Sequence, residues 1–281
     1  MHLQSGLAIL KEMKLQRRAL GAASVPVEDS LLDAFLHLES QSTHHGVSGL
    51  RLGRDFRTLH DQYKEHLYEF RTLQDVQQAF NPLINTTLPF LERCWSRPGA
   101  EIMAEYGTLH TEQQQLLSCL HQFGAHLACF YRRMYAKLAL KQQRGADMVR
   151  LTQLAMVLTV KTCLYTRGCP EPASFMPEYQ ELLSSALAVI AKFEERPLMT
   201  IDTTICPALF VIAARCPDYS LRWQAINALQ SWPHCEGYLN LTLIVDLVIE
   251  GMKGELRQLW KDSQATSRPP PPGQLFEESM A

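Results

Sequence analysis

The chain has 281 residues, 46% of them hydrophobic and 20% charged, which is enough apolar material to bury a substantial core. Its formal net charge of −2 excludes the strongly basic footprint of a protein that wraps nucleic acid or coats an anionic membrane. Eight cysteines stand at positions 94, 119, 129, 163, 169, 206, 216 and 235, and no two are separated by two residues. The paired spacing that opens most zinc sites is therefore missing, and free thiols in a reducing compartment are expected.

The apolar spacing is helical from the start. Leu3, Leu7 and Leu10 share one face of a helix over residues 1–20, which Gly21 stops; Lys11, Glu12 and Lys14 interrupt any signal-peptide core. A second helix is predicted over Glu28–Leu38, and residues 40–53, rich in Ser, His and Gly, read as a loop. Helical spacing resumes at Asp55 through Leu59, Tyr63, Leu67 and Phe70. The next helix runs from Leu73 to Trp95, with a kink or break expected at Pro82 and Pro89.

Glu101–Gln143 is periodic and free of proline, one long helix or two. Gly145 reads as a stop, with Asp147 capping a helix that ends at Gly168 and Pro170. Pro177 and Glu178 suit the first turn of a helix closing before Pro197. Asp202 is predicted to cap a helix carrying Pro207, and Asp218 or Ser220 one that runs through Trp232 to Pro233. The β-branched run after Leu241 competes as a strand, but its 3–4 spacing continues to Leu259, which favours a helix. Gly251 and Gly254 within it predict close approach of a neighbouring helix. From Ser263 the chain is polar with prolines at 269–272, and is expected to be disordered or polyproline II.

Catalytic templates fail on inspection. A glycine-rich phosphate loop, a nucleophile elbow and a His-Glu-x-x-His helix are all missing from the sequence. His44 and His45 lack a carboxylate at helical reach, and Cys163 and Cys169 flank what reads as a helix end rather than a redox pair. Arg51, Arg54 and Arg57, and Phe130 to Arg133 with Lys137 and Lys141, are basic stretches for which a solvated helix face is the expected reading over phosphate contact.

Two segments resemble the middle and C-terminal regulatory region of fungal-specific binuclear zinc-cluster transcription factors. His2-Leu3-Gln4-Ser5-Gly6-Leu7-Ala8-Ile9-Leu10 is similar to that family's H-L-x-S-G-L-x-I-L helix. Thr200, Asp202, Ile205, Pro207, Leu209-Phe210, Cys216, Asp218, Arg222, Ala225-Ile226, Leu229, Pro233 and Glu236-Gly237 follow its C-terminal signature. Phe56 to Leu59, or Phe70 to Leu73, match its Phe-x-x-Leu helix start, so the resemblance covers nearly all of residues 1–262. The sequence departs from the family at Pro217, Trp223 and His234, where arginines are frequent, and at Leu239, where Trp is common. The family's C-x2-C-x6-C DNA-binding module is not in this sequence.

These observations predict an all-α fold, an irregular bundle or solenoid of about ten helices over residues 1–262, with a Pro-rich tail over 263–281. Asp202, Pro207, Cys216, Asp218, Arg222, Trp232, Glu236 and Gly237 are expected to be structural: Asp218 as a helix cap, Trp232 buried, Arg222 pointing outward, and Glu236 paired with Arg222 or Arg215. Catalytic, cofactor and metal residues are not expected. The resemblance implies a nuclear regulator of a secondary-metabolite gene cluster. It would act through other transcription factors or coregulators, as a homo- or heterodimer, without binding specific DNA by itself and without a membrane. The alternatives are a truncated, inactive or antagonistic relative, an enzyme on a helical scaffold, and a small-molecule-sensing module.

Overall fold

The computed structural model describes Glu12 and residues 69–165, 173–193, 195–200, 205–236 and 239–266. The first two predicted helices, apart from the exposed, helical Glu12, and nearly all of the one from Asp55 lie outside the described residues. So do Cys169, Asp202, Gly237, His44, His45 and the arginines 51, 54 and 57. Among the described residues the fold is all-α, with eight α-helices against the expected count of about ten. They are α1 (Leu73–Ser96), α2 (Gly99–Ala104), α3 (Tyr106–Met134), α4 (Leu140–Thr162), α5 (Met176–Ala191), α6 (Cys206–Arg215), α7 (Tyr219–Gln230) and α8 (Leu241–Thr266). The last runs to Thr266, past the expected end at 262.

Helix α1 begins at a capping box. Thr72 Oγ1 accepts from the Asp75 backbone N–H at 3.1 Å, while Asp75 accepts from Thr72 N at 2.9 Å. Burial works against the Asp75 carboxylate, yet these backbone donors hold its pKa below the usual carboxylate value. The helix continues through Pro82 and Pro89, where a kink or break was expected. Gln78, whose carbonyl loses its donor to Pro82, is exposed, which leaves solvent to satisfy that carbonyl.

The predicted stop at Gly145 is displaced. The chain turns instead at Tyr135–Lys137, a 3₁₀ turn, and α4 runs unbroken through Gly145. Gln143 fastens that turn by donating to the carbonyls of Tyr135 and Leu138, both at 3.1 Å. At Gly145 a Cβ would come within 2.8 Å of Leu73 Cδ2, so this glycine accommodates α1 against α4. Asp147 is an interior helix residue, not a cap.

Helix α4 is the spine. Met156, Val157 and Val160 pack into a core with α1 and α3, centred on Phe80 stacked on Phe123 at 4.7 Å. Leu151, Ala155 and Leu158 pack into a second core with α5, α6, α7 and α8. Being buried on two sides, α4 carries little amphipathic pattern. Its C-terminal carbonyls are met from both flanks: Gln113 of α3 donates to Val160 O at 2.7 Å, and Arg215 of α6 donates to Thr162 O at 3.0 Å.

Not every element is helical. Met199–Thr200, Cys235–Glu236 and Leu239–Asn240 form strands β1, β2 and β3 of a three-stranded sheet. β1 and β2 are parallel, with Met199 opposite Cys235, and β2 and β3 antiparallel, with Glu236 opposite Leu239. This small sheet brings the connection after α7 beside the approach to α6, and so positions Glu236.

Candidate functional site

The C-terminal signature residues that are described gather around α6, and the structure assigns them to its two ends. Pro207 lies in the first turn of α6 and has no N–H. The buried donors that remain, Ile205 N and Cys206 N, bond Glu236 Oε1 at 3.0 and 3.2 Å. A carboxylate from β2 thus caps a helix about 30 residues upstream in sequence, where the helix dipole favours negative charge. It raises the pKa of the Cys206 thiol, though burial raises it more. Glu236 therefore does not pair with Arg222 or Arg215, as had been expected.

His234 completes this end. Its Nδ1 lies 2.7 Å from Trp232 O and its Nε2 lies 3.2 Å from Glu236 Oε1. Both partners only accept, so both ring nitrogens donate when the imidazole is charged. Burial lowers the pKa, but the bonds to Glu236 and Trp232 outweigh it and hold it above the ordinary value. The ring stacks on Trp232 at 4.4 Å, and Trp232 donates from Nε1 to Pro197 O at 3.0 Å. Trp232 is buried, as its place on the apolar stripe predicted.

At the other end of α6, Cys216 is the buried C-cap, its N–H bonded to Ile212 O at 3.0 Å. Asp218 caps α7, accepting from Ser220 N at 2.7 Å and Leu221 N at 3.0 Å. Arg222, predicted to point outward, is only 5% exposed. Its Nε donates to Ala213 O in the last turn of α6 at 2.8 Å, and its Nη1 to Glu255 of α8. The α7 register turns its side chain into the angle between α6 and α8, where an orphan carbonyl and a carboxylate receive it. Arg222 ties three helices together.

Helix α8 leaves this module in two parts. Leu241, Val245 and Val248 are buried against the second core. Met252 follows, partly buried, and the same stripe continues to Leu256 and Leu259, which are 46% and 55% exposed. Every residue from 253 to 261 is exposed. Among the described residues nothing lies within 4 Å of a Cβ added at Gly251 or Gly254, so the close approach of a helix expected there is not found among them. No helix among the described residues is long and apolar enough to cross a membrane.

A second polar cluster has no counterpart in the sequence reading. Asp147 accepts from Tyr131 Oη at 3.1 Å, Tyr135 Oη at 2.9 Å and Lys192 Nζ at 2.7 Å, linking α3, α4 and the end of α5. Burial, then the Asp147 charge, pushes the Tyr131 pKa far up. In the basic stretch beside it, Arg133 pairs with Glu69. Cys129 is exposed, whereas Cys94, Cys119, Cys163, Cys206 and Cys216 are buried thiols outside any disulfide. Among the described residues no three His, Cys, Asp or Glu side chains converge on a point suited to a metal ion. In comparisons with known proteins, no family model matches the chain, and neither a curated protein nor a solved structure matches it.

Proposed function

We propose that this chain is a regulatory helical domain of the kind found in fungal binuclear zinc-cluster transcription factors, working through protein contacts in the nucleus on genes of a secondary-metabolite pathway. The observation that carries the reading is the uncovered half of α8. An apolar stripe that is buried through Val248 runs on into solvent at Leu256 and Leu259. The projecting helix is anchored at Glu255 by the buried Arg222, itself a signature residue. Burying two leucines in a partner's groove contributes about 1.5–3 kcal/mol each, and a helix already ordered before binding loses little entropy. The partner is a helical surface of another transcription factor or coregulator, which would supply the contact with DNA.

The test is the double variant Leu256→Glu/Leu259→Glu. Both positions are solvent-facing, so the melting temperature and circular dichroism should stay unchanged. Reporter output and co-purification of the partner should be lost. A variant that keeps full output in cells while remaining folded sinks this reading.

A further inference from the structure

A cleft of about 780 Å³ opens between α3, the end of α4 and the 3₁₀ turn Ala173–Phe175 that leads into α5. That volume suits a small organic ligand. Its floor is the buried Gln113, held by its bond to Val160 O, together with Leu117. Two aromatic pairs line it, Tyr106 stacked on His110 at 5.5 Å and Tyr165 set edge-on to Phe175 at 5.9 Å. Two nitrogen groups, His121 and Lys161, also line it, and no carboxylate does among the described residues.

We propose that this cleft binds a small aromatic carboxylate, its ring against the two aromatic pairs and its anion on Lys161 and His121. The charge argument rests on balance. Lys161 already meets Glu178 at 3.2 Å outside the lining, but that pair is about a third exposed on each side and therefore weak. A ligand carboxylate can share the ammonium. His121 lies close enough to Lys161 to feel its charge: burial first, and Lys161 second, hold its pKa below the ordinary value. An anion between the two relieves that repulsion. Among the described residues the ionisable groups facing the site are His110, His121, Lys161, Tyr106 and Tyr165, with Glu178 behind Lys161. The inference goes beyond the regulator reading and does not depend on it.

The full chain is titrated with 2-naphthoate and with neutral 2-naphthamide, by calorimetry and by NMR of the histidine ring protons. Saturable one-to-one binding of naphthoate is expected, with the amide weaker by about tenfold or more, the size of one charge-assisted contact. The His121 pKa should rise in the complex. Lys161→Met should reduce naphthoate affinity by about the same factor while leaving the amide's unchanged. Tyr106→Ser, at a position 45% exposed, should weaken both probes. The melting temperature of each variant separates lost binding from lost folding. Equal affinity for the two probes, a His121 pKa that does not move on saturation, or native affinity in Lys161→Met overturns the proposal.

Discussion

His234 and Glu236 form a buried pair two residues apart, Nε2 to Oε1 at 3.2 Å, and the same Oε1 caps the start of α6. Breaking a buried pair by truncating one member costs about 3–5 kcal/mol, because the other charge is left without compensation.

The first prediction follows from the direction of the His234 pKa. It is raised in the folded protein, so protonation favours folding. That contribution is complete below the unfolded imidazole value of about 6.5 and is lost as pH rises through the higher folded value. His121 works in the opposite direction, since its folded pKa is lowered and its protonation disfavours folding at acid pH. The informative quantity is therefore a difference between variants. His234→Phe keeps an aromatic ring beside Trp232 and removes the proton. The stability gap between the native chain and this variant should shrink from about pH 6 to about pH 8 in urea unfolding. A gap that is constant with pH contradicts the charged pair.

Arg222→Ala supplies the second. A solvated arginine would leave stability within about 0.5 kcal/mol. Here the change strands the buried Ala213 carbonyl and removes a stem packed between α6, α7 and α8, so a loss of about 2–3 kcal/mol is expected. Arg222→Lys should recover little, because one ammonium cannot reach both Ala213 O and Glu255 as the guanidinium fork does. Thermal unfolding of both variants measures it, and a native-like midpoint for Arg222→Ala counts against the tie.

The Asp218 cap was legible because a local rule decides it: a short polar side chain before an apolar helical run bonds the next free N–H groups. The burial of Trp232 was legible from its place three residues after Leu229, although α7 ends at Gln230 and the indole is held beyond the helix by His234 and Pro197 O. The path of α4 was not. Gly145 as a stop and Asp147 as a cap are sound local choices, yet both were overridden by partners distant in sequence, Leu73 for the glycine and Tyr131, Tyr135 and Lys192 for the carboxylate. The capping of α6 by Glu236 depends on the six-residue sheet, whose two-residue strands are too short to show an alternating pattern. Arg222 departs from its expected exposure because only the meeting of α6 and α8 supplies its acceptors, whereas a charged residue is usually solvated. The cleft beside Lys161 combines residues from positions 106 to 175, and no short motif announces it.

The third prediction ranks two signature residues by mechanism. Asp218→Ala removes a cap at an exposed helix start and should cost about 0.5–2 kcal/mol. Trp232→Ala empties a buried site and loses the stacking on His234 and the bond to Pro197 O, for about 3–5 kcal/mol. Denaturant titrations should keep that order, and the reverse order would mean that the indole is not part of the core.

The last prediction contrasts two glycines in helix interiors. At Gly251 an added Cβ meets nothing within 4 Å among the described residues, so Gly251→Ala removes the backbone freedom of the unfolded chain and should stabilise by about 1 kcal/mol. At Gly124 of α3 the same methyl would sit 2.9 Å from Gln153 Nε2. That nitrogen donates to Leu120 O across the α3–α4 contact at 3.2 Å, in a buried setting. The amide must move to admit the methyl, and a buried donor without its acceptor costs about 1–3 kcal/mol, which exceeds the helix gain. Gly124→Ala should therefore be destabilising by about 1 kcal/mol net, although the substitution is the same. The double variant Gly124→Ala/Gln153→Ala removes the clash and the donor together, and isolates the cause. If it is no more tolerant of alanine at 124 than the native background is, the Gln153 amide is not what excludes a side chain there.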